Sequence, residues 1–76
     1  MNVHEAVRKR IETLLLEKGW GLSELSRRSG VNQSTLSEIM SGRSKHPRVI
    51  TLKKIAFAFD LTLSDFFDYE SFNFTK

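Results

Sequence analysis

Apolar residues recur along this chain at helical spacings. Val3, Val7, Ile11 and Leu14 follow at intervals of four, four and three, so they share one stripe of a helix and leave Arg8, Lys9, Glu12 and Glu17 largely outside it. That stripe predicts a first helix from Val3 to Lys18, ended by Gly19. Gly21 is an acceptable N-cap for a second helix, Leu22 to Ser29, which Gly30 follows. Asn32 is a strong N-cap, because its side-chain oxygen can accept from amides of the next turn. The third helix is therefore Gln33 to Ser41, closed by Gly42. After a polar, basic loop containing Pro47, the run Ile50, Leu52, Ile55, Ala56 and Phe59 restarts the period and predicts a fourth helix over Ile50 to Phe59. Thr62 with Asp65 three residues on forms a capping box ahead of Phe66 and Phe67, so a fifth helix is expected from Leu63 to Tyr69. No stretch alternates with period two long enough for a strand. The fold class is all-α, five helices in a compact domain over residues 1–69, with 70–76 as a C-terminal tail.

The second and third helices are separated by three residues, the first of them a glycine. Such a sharp turn wants positive φ at Gly30, which a β-carbon disfavours. Ser26 is small enough for close backbone approach, while Leu25, Val31, Leu36 and Ile39 supply the joining apolar faces. A plain helical hairpin could share all this. The outward face of the third helix separates the two readings: Gln33, Ser34, Ser37, Glu38 and Ser41 are polar and mostly short, which lets a helix sit deep in a groove.

At this point the chain resembles a known family. The run G-V-N-Q-S-T-L-S-E-I-M-S-G-R-S-K-H-P, preceded by L-S-E-L-S and followed by L-K-K-I-A-F-A-F-D-L-T-L-S-D-F-F, is similar to the Cro/phage-repressor type of helix-turn-helix domain from about Ile11 to Phe67. The resemblance implies a five-helix fold with the helix-turn-helix formed by helices two and three. It also implies operator binding as a dimer, and a place among small bacterial and phage transcriptional regulators. Carried over residue by residue, it puts Gln33, Ser34 and Glu38 at base edges: Gln can pair with adenine N6 and N7, Ser can donate or accept, and Glu can accept from cytosine N4. Asn32, Thr35, Ser37, Arg43, Lys45 and His46 fall where relatives touch phosphate, contacts that fix register without reading sequence.

Two departures from the family pattern stand out. Where relatives open helix two with Thr-Gln and that Gln reaches the DNA backbone, this chain has Gly21 and Leu22, so one phosphate contact is missing. Leu15 and Met40 replace an Arg and Glu that pair between helices one and three. Exchanging both partners for hydrophobes is physically sensible, since losing only one would strand a charge; the two side chains are expected to touch. Phe57, Phe72 and Phe74 exceed the needs of the core and are candidates for a dimer interface, or for a tail folding back on its own domain.

Charge adds a direction to this picture. Residues 1–59 hold 11 Lys/Arg against 5 Asp/Glu, whereas residues 60–76 hold 1 against 4, so the net charge of +3 conceals a basic part that contains the helix-turn-helix. Arg27, Arg28, Lys53 and Lys54 read as a solvated surface strengthening that field. The chain has no cysteine, hence no disulfide or thiolate metal site. His4 and His46 are isolated, no Gly-rich phosphate loop exists, and the carboxylates do not pair into an acid and base, all of which argues against an enzyme and against any cofactor. No segment resembles a signal peptide or a membrane span, so a cytoplasmic, nucleoid-associated protein is expected. The expected function is sequence-specific double-stranded DNA binding by a homodimeric regulator, a repressor or autoregulator on a palindromic operator. The alternative is an antitoxin-like or other protein-binding module with the same fold.

Overall fold

The computed structural model describes residues 3–43 and 47–68. Five helices follow in order: α1 (Val3–Lys18), α2 (Leu22–Ser29), α3 (Gln33–Ser41), α4 (Val49–Ala58) and α5 (Leu63–Phe67). No strand occurs among the described residues. The first three agree with the bounds expected from the apolar period and its caps.

The fourth helix begins one residue early and ends one early. The Arg48 carbonyl already accepts from the Leu52 amide at 3.1 Å, so Val49 is the first helical residue. The apolar period had no use for Val49, which faces solvent. Ile50 also departs from expectation: it is 54% exposed, and the inward stripe of α4 is Leu52, Ile55, Ala56, with Phe59 just past its end. The fifth helix stops at Phe67 with Asp68 as its C-cap, and Tyr69 lies outside the described residues.

α2 packs on both α3 and α4, α5 on α4, and α1 on α3. Their inward faces form one cluster, including Val7, Ile11, Leu25, Leu36, Ile55 and Phe66, each at most 1% exposed. Full burial of such side chains contributes about 1.5–3 kcal/mol each and is the main source of stability in a chain without cross-links. Leu15 and Met40 are both half-buried and both pack against this cluster. The Trp20 ring stacks on Phe59 with centroids 5.3 Å apart, which fastens the α1–α2 connection to the end of α4. At the far end of the chain, the Arg10 Nε donates to the Phe66 carbonyl at 2.9 Å and a terminal guanidinium nitrogen donates to Asp65 at 3.2 Å. A cation from α1 thus sits on the last carbonyls of α5, where it is electrostatically favoured.

Candidate nucleic-acid interface

The α2–α3 turn is fixed by backbone and hydroxyl bonds acting together. Gly30 adopts φ 77°, ψ 7°, and its amide donates to the Ser26 carbonyl at 3.0 Å. The Ser26 hydroxyl donates to the Val31 carbonyl at 2.7 Å, and the Val31 amide donates to the Ser29 hydroxyl at 3.2 Å. Val31 itself is buried. Ser26 was identifiable as a small residue at a close approach, but its role as a hydrogen-bond donor across the turn was not, since that depends on the folded path of the next five residues.

Asn32 then caps α3: its Oδ1 accepts from the Thr35 amide at 2.9 Å. Leu36 and Ile39 point inward, which forces the residues between them outward. Gln33, Ser34, Ser37, Glu38 and Ser41 are all exposed, and with Arg43 they line one shallow concavity on the free side of α3. The helix closes on Gly42 (φ 84°), with the Arg43 amide donating back to the Glu38 carbonyl at 3.0 Å. That closure brings the Arg43 side chain to the end of the polar face.

Of the residues expected to read bases, Gln33, Ser34 and Glu38 therefore share one surface. Among those expected at phosphate, Ser37 and Arg43 lie on the same surface, while Asn32 is exposed beside it and its oxygen is engaged as the cap. Thr35 is half-buried. Lys45 and His46 lie outside the described residues. Ser41 joins the concavity though no contact was assigned to it; its place one turn after Ser37 is the signal that could have found it. Phe57 is exposed on α4 away from this concavity, and Phe72 and Phe74, with the tail 70–76, lie outside the described residues.

Arg27 and Arg28 depart from a freely solvated surface. Both donate to the Glu24 carboxylate, and the Arg28 guanidinium also lies 4.4 Å from the centre of the Trp20 ring. Hydrogen bonds from Arg27, then Arg28, hold the Glu24 carboxyl below the usual carboxylate range. Their charge is partly neutralised, so it adds less to the field around α3 than its count suggests. Among the described residues no group of three or more His, Cys, Asp or Glu could hold a metal ion, and no helix is long and apolar enough to cross a membrane.

A helix with one buried face, a solvent-facing row of hydroxyl, amide and carboxylate groups, and an arginine at its end can offer hydrogen bonds to base edges and a cation to a phosphate. Comparison with known proteins agrees with that geometry. Residues 10–71 match the Cro/C1-type HTH DNA-binding domain. The chain is 36% identical over 59 residues to the HTH-type transcriptional regulator SlrR of Bacillus subtilis (strain 168), a match covering 78% of this chain and 39% of that protein. The chain thus spans about two-fifths of the length of the curated relative it matches.

Proposed function

Because the chain belongs to the Cro/C1-type helix-turn-helix DNA-binding domains, we propose that it represses transcription, its own included, by occupying a palindromic operator as a homodimer. Double-stranded DNA is the partner and α3 the reading element. The observation that carries this is the shared outward face of Gln33, Ser34, Ser37 and Glu38, free of large hydrophobes and flanked by Arg43. Two copies related by a two-fold axis would present two such faces to half-sites about 34–36 Å apart, one turn of DNA. In this reading Gln33, Ser34 and Glu38 approach base edges, and Asn32, Thr35, Ser37, Arg43, Lys45 and His46 approach phosphates. The role is binding and occlusion of polymerase, with no bond made or broken.

Selection from random duplexes tests it. Enriched sequences should contain an inverted repeat, and affinity for the winner should fall with salt by about 0.9 in log–log slope for each phosphate neutralised. Enrichment of a single unrepeated half-site would remove the palindrome. No enrichment at low salt would remove sequence reading altogether.

A further inference from the structure

Arg8 and Arg10 stand two residues apart on α1, hence on nearly opposite sides of that helix. Arg10 is committed to the carbonyls of α5, and Arg27 and Arg28 to the Glu24 carboxylate. Arg8 is placed differently. It is half-buried on the helix that packs on α3, and a β-carbon at Gly42 would lie 3.9 Å from one of its terminal nitrogens. Its guanidinium therefore rests against the residue that closes α3. Among the described residues it donates to no carbonyl and pairs with no carboxylate, although Glu5 and Glu12 stand one turn before and after it.

The closing turn of α3 does not need it. The Gly42 amide already donates to the Glu38 and Ile39 carbonyls, and the Arg43 amide donates to Glu38 at 3.0 Å. A cation here gains from the helix dipole, but its N–H donors stay open. They open at a particular place. Ser41 and Arg43, on either side of Gly42, both line the concavity on the free side of α3, so Arg8 stands at the rim of that surface. α3 has nine residues and is about 13–14 Å long, close to the width of a major groove, about 12 Å. With Gln33 and Ser34 on base edges, its C-terminal end reaches the flanking strand and not the bases.

We propose that Arg8 is a further phosphate-contacting residue, which reaches from α1 past the end of α3 and, with Arg43, holds the DNA strand bordering the groove. Two guanidinium groups at one rim repel each other in the free chain, and a phosphate backbone relieves that repulsion. The binding surface thus recruits a helix outside the helix-turn-helix. The contact rests on the DNA reading above, but it can fail while that reading stands.

Anisotropy titrations of the full chain at several salt concentrations test it, against a labelled random-sequence duplex and the selected operator. Arg8→Ala should weaken both duplexes by the same factor and lower the salt slope by about 0.9, so its deficit against wild type shrinks about 3.5-fold between about 50 and 200 mM salt. Arg8→Lys should keep the slope. Lys9→Ala removes an equal charge from the exposed neighbouring position and should change the slope far less. Loss of stability alone would scale affinity at every salt concentration by nearly one factor, so a weakened fold does not imitate the result. A duplex carrying a single neutral methylphosphonate, moved along the operator backbone, should reveal one position at which wild type and Arg8→Ala bind alike. An unchanged slope in Arg8→Ala, an equal fall in Lys9→Ala, or the absence of such a position would each overturn the proposal while leaving α3 as the reading element. A wild type that binds no duplex in low salt would remove the DNA reading and this contact together.

Discussion

Gln33 and Arg43 lie on one surface, yet their chemistry divides their effects. A primary amide can satisfy two groups on one adenine edge and not on other bases, so Gln33→Ala is expected to relax specificity at one operator position at a cost of about 1–3 kcal/mol on the preferred base. A guanidinium on phosphate reads no sequence: Arg43→Ala should weaken every duplex alike and lower the salt slope by about one. Anisotropy titrations of each variant against the winning and a single-base-changed duplex would show this, and equal effects on both duplexes from both variants would refute the division. Glu24 makes a separate residue-level claim. Its carboxyl is held below the usual range in the folded chain, so the folded state binds that proton more weakly than the unfolded state does. The stability this contributes is present above the ordinary glutamate pKa, about 4.3, and is lost as pH falls through the lowered value. The stability gap between wild type and Glu24→Gln should therefore be small and flat near neutrality and close in acid; a gap that widened in acid would contradict the pairing with Arg27 and Arg28.

At the scale of elements, the ends were legible wherever a residue's own chemistry stops a helix. Gly19, Asn32, Gly42 and Thr62 each act at the position their side chain, or lack of one, dictates: the Thr62 hydroxyl accepts from the Asp65 amide at 3.0 Å. The start of α4 was misplaced because Arg48 caps through its backbone only and offers no side-chain signal. Ile50 was assigned inward because period alone cannot tell a core residue from one facing a different surface. Leu15 and Met40 test how far a joint replacement can be read between helices. If they touch across α1 and α3, Leu15→Ala and Met40→Ala should be non-additive, with a coupling of about 0.5 kcal/mol or more in a double-mutant cycle. Additive losses would place them in separate environments despite their common cluster.

Across the whole molecule, the fold was almost fully legible, and of the candidate site only the exposed face of α3 was. Core, class and order of helices follow from apolar spacing, which the chain carries in every element. The polar face of α3 follows from the same spacing by subtraction. The pairing of Arg27 and Arg28 with Glu24, and the seat of Arg28 on Trp20, did not follow, because a count of charges ignores which of them meet after folding. The clasp of α1 on α5 was equally hidden: nothing in the spacing of α1 announces that Arg10 will reach the carbonyls of Asp65 and Phe66. Arg10→Ala should cost about 1–3 kcal/mol, since charged hydrogen bonds are lost at a partly buried helix end. Chemical denaturation would show the loss as a lower midpoint with unchanged slope; an unchanged midpoint would mean that α5 is held by packing alone.

Trp20 is the single tryptophan of the chain, and it lies between the Phe59 ring and the Arg28 guanidinium. Its emission is therefore an intrinsic optical gauge of one place, the junction of the α1–α2 connection with the end of α4. When the helices separate, the indole loses both neighbours at once and enters water, so a red-shifted spectrum reports global unfolding without any attached dye. Arg28→Ala would remove one neighbour while leaving the ring stack in place, and the difference between the two folded spectra would isolate what a cation above an indole does to its light.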